Sequence, residues 1–162
     1  MKIAIFSESH DHVSNMGRAV RIAKERGVEK AFHLGDYVAP FVIPAMEGLD
    51  VVGVLGNNDG EVMGLENAFA GISGTLAGGG YECEIDGFKI ALYHGTVARI
   101  RDSLVGSGEY DVVLCGHTHK RAEEVVGKTL FVNPGTVNGI RGDGSSFAFF
   151  DTLGKKVEFV MI

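Results

Sequence analysis

The chain has 162 residues, 45% hydrophobic and 22% charged, the make-up of one ordinary globular domain over residues 1–162. A formal net charge of −6 provides no basic face for a nucleic-acid backbone, so nucleic acid is expected at most as a small nucleotide substrate. No apolar run approaches the roughly 18 residues of a membrane span, no signal-peptide core precedes the first strand, and the two cysteines, Cys83 and Cys115, make no disulfide framework, so a cytoplasmic protein without a membrane partner is expected.

Residues 2–6 predict a short apolar strand that ends in the polar tip Ser7-Glu8-Ser9-His10-Asp11-His12. Residues i and i+2 of an extended chain share a face, so the Glu8 carboxylate and the His10 imidazole can converge. His12 reads as a solvated loop residue. Ser14 is the expected N-cap of a helix over 14–26, with Met16, Ala19, Val20 and Ala23 on one face and Gly27 as its stop. A buried strand over 31–34 contains His33 as a core residue and ends at Gly35-Asp36. A short helix over 38–47 follows, made irregular by Pro44.

The strand predicted over 51–55 ends at Gly56-Asn57-Asn58-Asp59-Gly60, which by itself is ordinary turn chemistry. Next come a helix over 61–70, a flexible stretch over 71–80, and a hairpin whose arms, 81–85 and 88–92, flank Asp86-Gly87. The second arm ends at Tyr93-His94-Gly95-Thr96. A helix over 97–105 leads to a buried strand over 112–115 and the tip Gly116-His117-Thr118-His119. There two imidazoles at i and i+2 can point at one place, and Gly116 lets the backbone pass close to it. A strand over 129–132 stops at Asn133-Pro134-Gly135-Thr136. A glycine-rich loop, 138–145, and a closing hairpin, 147–151 and 156–161, complete the chain.

Helices alternating with the first three strands indicate an α/β fold with a mostly parallel sheet at the start. The strand-dense last third adds a mixed sheet or a second one. Five strand ends carry Glu8 and His10, Asp36, Asn57, His94, and His117 with His119. In α/β sheets a ligand site lies beyond the carboxyl ends of the strands. A nitrogen and oxygen donor set without thiolates suits manganese, iron, zinc, nickel or cobalt. Seven such residues suit two ions sharing a carboxylate, about 3.5–4 Å apart. Glu8 and Asp36 would offset part of the ions' charge, and the remaining charge of about +2 attracts a phosphate ester.

The series resembles the calcineurin-like metallophosphoesterase family, whose motifs run D-x-H, G-D, G-N-H-[DE], H and G-H-x-H, and most of all its small single-domain archaeal and bacterial phosphodiesterase branch. The likeness covers essentially the whole chain, including Asn133-Pro134-Gly135. It implies a two-sheet β sandwich flanked by helices. It also implies a divalent-metal-dependent phosphodiesterase or phosphatase acting on a small phosphodiester or phosphomonoester through a metal-bridging hydroxide. By the same resemblance Glu8, His10 and His119 hold one ion, Asn57, His94 and His117 hold the other, and Asp36 bridges them. Asp36, Asn58 and His94 are then the catalytic positions, with two divalent ions as cofactors, manganese first among them. A homo-oligomer is compatible with this reading.

Two departures stand out. Glu8 occupies the family's aspartate position, and one more methylene moves a carboxylate by roughly 1.5 Å, so a shifted or weaker first metal is expected unless the loop compensates. Asn58 occupies the position of the histidine that follows the metal-binding asparagine. A neutral amide can hydrogen-bond phosphate but cannot act as an acid, and general-acid help is worth about 10²–10⁴-fold, so esters with good leaving groups are the expected substrates. Thr96, Arg99, Asn138 and Arg141 are candidates to contact the rest of a substrate. The alternative is a protein-binding scaffold on the same fold with weakened metal sites, as in the retromer scaffold subunit, which resembles this family too.

Overall fold

The strands near the chain's start are apolar at almost every position, and the computed structural model, which describes residues 1–162, shows why. In β1 (Lys2–Phe6) alternate side chains enter two different cores. Ile3 and Ile5 pack into a layer between two sheets, with Phe32, Val52, Ile90, Leu92, Val112, Leu114 and Leu130. Ala4 and Phe6 face the other way, under the helices, with Met16, Ala19, Val20, Val42, Leu65 and Phe69.

The first sheet has the order β11-β10-β1-β2-β3-β4. Its members are β2 (Lys30–His33), β3 (Asp50–Gly53), β4 (Thr75–Leu76), β10 (Ser146–Asp151) and β11 (Lys156–Met161) beside β1. β1 to β4 run parallel and β10 pairs antiparallel with β1. The second sheet has the order β5-β6-β7-β9-β8. It contains β5 (Tyr81–Ile85), β6 (Phe88–Leu92), β7 (Val112–Leu114), β8 (Arg121–Val126) and β9 (Thr129–Pro134), with β6, β7 and β9 parallel. The result is the expected two-sheet sandwich flanked by helices, in one domain. The five strands that lead to candidate ligands deliver them to one edge of the sandwich.

Helix α1 (Val13–Glu25) buries Met16, Ala19, Val20 and Ala23 as patterned, but its cap differs from expectation. His12, not Ser14, is the N-cap: its Nδ1 accepts the Asn15 N–H at 3.3 Å. That nitrogen stands as far from the backbone as the carbonyl oxygen of an Asn cap. Residues 40–46 form a 3-10 helix (Pro40–Met46), since Pro44 has no N–H for an α-helical bond. Helices α2 (Val62–Gly71) and α3 (Ala98–Gly106) lie within a residue or so of their predicted spans. In the β5–β6 hairpin Asp86 and Gly87 both take positive φ, 51° and 78°, as a two-residue turn of this type requires.

Two strands were not visible in the sequence pattern. β4 lies inside the stretch expected to be flexible, which is instead fastened along β3: Ala77 N–H donates to Gly53 O at 2.8 Å and Leu55 N–H to Gly78 O at 2.6 Å. β8 is an edge strand with polar Arg-Ala-Glu-Glu at its start and its last four residues exposed, so it carries no alternation to read. No helix is long and apolar enough to cross a membrane.

Candidate metal centre

Beyond the ends of three of the strands that lead to the site, the chain turns into left-handed geometry. Glu8, His10, Asp36, His117 and His119 have φ of 56°, 41°, 60°, 67° and 60°, left-handed values unusual for residues with a Cβ. Such conformations persist where surrounding bonds over-determine them. Here the first tip is laced to the second: Glu8 N–H donates to Gly35 O, His10 N–H to Asp36 O and Asp11 N–H to Tyr37 O, at 2.9–3.1 Å. On its other side Glu8 O accepts from Asn138 N–H at 3.0 Å and from Thr136 Oγ1 at 3.2 Å, while Ser7 O accepts from Val137 N–H at 3.0 Å.

The third tip is tied by Asp59. Its buried carboxylate accepts three backbone N–H groups, from Asp36 at 2.9 Å, Val38 at 2.8 Å and Gly56 at 2.7 Å. Gly56 permits the crossing, because a Cβ there would fall on the Asp36 carboxylate. From the second sheet, Gly116 N–H donates to His94 O at 2.8 Å, and a Cβ on Gly116 would collide with Ser7 Oγ. His33, fully buried as expected, joins the first two tips from below. Its Nδ1 accepts the Gly35 N–H at 3.2 Å and its Nε2 donates to Ser9 Oγ at 3.1 Å.

The candidate ligands converge on this frame. The Glu8 carboxylate is completely buried. Its Oε2 lies 2.9 Å from both His10 Nε2 and His119 Nε2, and its Oε1 accepts the His117 N–H at 2.7 Å. The loop therefore accommodates the longer glutamate and seats its carboxylate between the two imidazoles. The Asp36 oxygens divide: Oδ1 is 3.5 Å from His94 Nε2 and Oδ2 is 3.6 Å from His10 Nε2. His94 Nδ1 donates to Leu34 O at 2.7 Å, which fixes the tautomer and leaves Nε2 as a bare lone pair. That lone pair faces Asn57 Oδ1 at 3.0 Å and Asp36 Oδ1, so acceptor meets acceptor. His119 Nδ1 is buried and has no hydrogen-bond partner.

These spacings fit cations. Two ligands about 2.1 Å from one ion stand roughly 3.0 Å apart across a right angle and roughly 3.4 Å apart across a tetrahedral one. Two groups are tight enough to hold an ion, Glu8 with His10 and His119, and Glu8 with Asp36 and His94. His117 belongs to neither group. Its ring packs edge-on against His94 with centroids 5.1 Å apart and lines the open side of the site.

The charges are mutually perturbed. Contact with Glu8 raises the His10 pKa, against the effect of burial. Burial lowers that of His119, and the positive charges of His10 and Arg141 lower it further. Burial pushes the Asp36 carboxyl up, yet the Asn58 N–H, the His94 ring and the Asn58 amide together bring it below its ordinary value. Asn58 donates to both Asp36 oxygens, at 2.9 Å from its N–H and 2.7 Å from Nδ2. Its amide therefore steadies Asp36 and does not point freely into the cleft. His33 is pushed down to about 3, chiefly by burial and secondarily by His94.

Above the centre opens a cleft of about 690 Å³, whose walls include Val38, Asn58, Thr118, Asn138, Ile140 and Arg141. Of the residues expected to touch the rest of a substrate, Asn138 and Arg141 line this cleft and Thr96 contacts Asn57 at 3.4 Å, whereas Arg99 lines a separate groove along α3. Asp59 and His33 are the positioning groups that sequence patterning overlooked. The only available signal was Asp59 closing a Gly-Asn-Asn-Asp tip, which is also how a common turn reads.

The sequence profile of the calcineurin-like phosphoesterase superfamily domain matches residues 1–155. Phosphodiesterase MJ0936 of Methanocaldococcus jannaschii is 34% identical over 165 residues, covering 100% of this chain and 99% of that protein. A probable metallophosphoesterase of Methanothermobacter thermautotrophicus is 28% identical over 144 residues, covering 84% of this chain and 77% of the other. A solved structure described as a novel archaeal phosphodiesterase superposes with a TM-score of 0.94 at 34% identity over the whole of both chains.

Proposed function

We propose, from the premise that this chain belongs to the calcineurin-like phosphoesterase superfamily and is a hydrolase, that it is a two-metal phosphodiesterase for small phosphate esters. The observation that carries this reading is the division of the Asp36 carboxylate, one oxygen toward His94 and the other toward His10. A carboxylate placed in this way can serve two ions at once while offsetting their charge. Glu8, His10 and His119 would hold one ion, and Asn57, His94 and His117 the other. Manganese is the first expectation, with nickel, iron, zinc or cobalt also suited to the donor set.

Two bound divalent ions would supply an activated water and positive charge for the non-bridging phosphate oxygens. The chain's own part is to place and hold the groups. Leu34 O aims His94 through its Nδ1–H, and the two Asn58 donors keep Asp36 ionised and its plane fixed. Glu8 Oε1 anchors the His117 N–H and so sets the position of the last tip. Asn58 gives the leaving group no acid, so the reading favours esters of acidic alcohols. The cytoplasmic setting expected from the cysteine usage belongs to the same proposal.

The test is elemental analysis after reconstitution with manganese, alongside hydrolysis of bis(4-nitrophenyl) phosphate. The expected result is close to two metal equivalents and metal-dependent release of nitrophenolate. Metal near zero with unchanged thermal stability would instead favour a protein-binding scaffold.

A further inference from the structure

We infer that Ile140, Arg141 and Val38 form a subsite for the second ester group of the substrate, and that this group is a flat aromatic one; the inference rests on the diesterase reading above. The loop that carries Ile140 and Arg141 is pinned at both shoulders. On one side the buried Asn138 donates its N–H to Glu8 O at 3.0 Å and accepts the Ile140 N–H on Oδ1 at 2.6 Å. On the other side Gly142, at φ 78°, lays its backbone against the His119 carbonyl, where a Cβ would clash. Farther along, Ser145 Oγ accepts from Asn15 Nδ2 at 3.0 Å and Ser146 N–H donates to Thr136 O at 2.7 Å. The tip is thereby held in register with two first-metal ligands, Glu8 and His119.

On that anchored tip the side chains are left without partners. Ile140 is 78% exposed, and Arg141 makes neither an ion pair nor a hydrogen bond, although both line the cleft. Val38, also on the cleft wall, is a β-branched residue at φ 77°, held there by the bond from its N–H to Asp59 Oδ1 at 2.8 Å. A β-branched residue in this region is a genuine outlier, and local strain of this kind gathers at ligand-holding positions. Two aliphatic side chains and one free guanidinium therefore border the space beside the phosphate position. An aromatic ring satisfies all three, since its surface removes the aliphatic groups from water and its face accepts the guanidinium. A small alkyl ester offers neither.

The experiment is calorimetric titration of manganese-loaded protein with two diesters of equal charge, diphenyl phosphate and diethyl phosphate. Wild type is expected to bind the diphenyl ester about tenfold more tightly. Ile140→Ser should cut that preference to about threefold or less while leaving the diethyl affinity unchanged, and Arg141→Ala should weaken the diphenyl ester more than the diethyl one. Equal binding of the two esters by wild type, or a preference untouched in Ile140→Ser, overturns the subsite while the diesterase reading stands. Failure of manganese-loaded protein to bind either ester overturns both.

Discussion

Shortening Glu8 to aspartate probes the point at which this chain departs from its family. Glu8 Oε2 stands 2.9 Å from His10 Nε2 and His119 Nε2, and Oε1 accepts the His117 N–H at 2.7 Å. Loss of a methylene withdraws the carboxylate by roughly 1.5 Å, which opens all three contacts to about 4 Å and ends them. The backbone cannot follow, because Glu8 N–H is held by Gly35 O and Glu8 O by Asn138 N–H and Thr136 Oγ1. A hydrogen bond to a charged group is worth about 1.5–3 kcal/mol, or roughly 3–12 °C in Tm for a domain of this size. A carboxylate ligand drawn away from its ion should cost at least what an outer-shell partner does, about 10–100-fold in affinity. Calorimetric titration of manganese into metal-free Glu8→Asp protein should show one equivalent weakened by that factor and the other changed much less. Tighter binding of the weaker equivalent, with faster diester hydrolysis at limiting metal, would refute this reasoning. It would mean that aspartate spacing is correct and that the glutamate is a handicap.

Asp36→Asn should lose both metal equivalents and diester hydrolysis together, as measured by elemental analysis and turnover; normal turnover would remove Asp36 from the bridging position. Asp59→Asn replaces one accepting oxygen with a donor that faces backbone N–H groups, and should cost about 2–4 kcal/mol in urea denaturation and weaken metal binding, although Asp59 itself touches no candidate ion. His33 has a folded pKa of about 3 against an unfolded value of 6.5, so the unfolded chain binds the extra proton in that window and stability falls as pH drops from 6.5 toward 3. Between pH 7 and pH 5 the loss assigned to His33 is about 2 kcal/mol. His33→Gln should remove that part of the acid sensitivity in urea midpoints taken at both pH values, and an unchanged slope would show that the ring is not buried neutral.

The sandwich was legible because burial on both faces leaves a mark in composition. β1, β2 and β3 are nearly continuous apolar runs, each stopping at a polar tip, and the β5–β6 hairpin announces itself through Asp86-Gly87. β4 and β8 were illegible for the opposite reason. β4 pairs through two residues only, at Thr75 and Leu76, so its backbone bonds to β3 leave almost no side-chain pattern. β8 lies at an edge where four of its six residues face water. The cap of α1 is not legible because Ser14 satisfies the usual preference, while His12, two residues earlier, accepts the Asn15 N–H with an imidazole nitrogen and so starts the helix sooner.

The ligands of the candidate centre could be read as side chains, but the forces that hold them could not. Glu8, His10, Asp36, Asn57, His94, His117 and His119 announce themselves by type and by place at strand ends. Asp59 and His33 work by receiving backbone N–H groups from Asp36, Val38, Gly56 and Gly35, and a hydrogen bond to a backbone group leaves no trace in the identity of the residue that donates it. Yet five of the candidate ligands sit in left-handed conformations. At about 1–3 kcal/mol each their combined cost is roughly 5–15 kcal/mol, the size of a whole domain's net stability. Side chains hung on an indifferent scaffold would relax out of such geometry. The tips stay in place because they are bonded to one another: Glu8 to Gly35, His10 to Asp36, Asp36 to Asp59, His94 to Leu34, Gly116 to His94, and His117 back to Glu8. That ring of bonds makes the centre a property of the backbone as much as of its ligands, and it explains why a carboxylate one methylene too long for the family's motif still lands between two imidazoles.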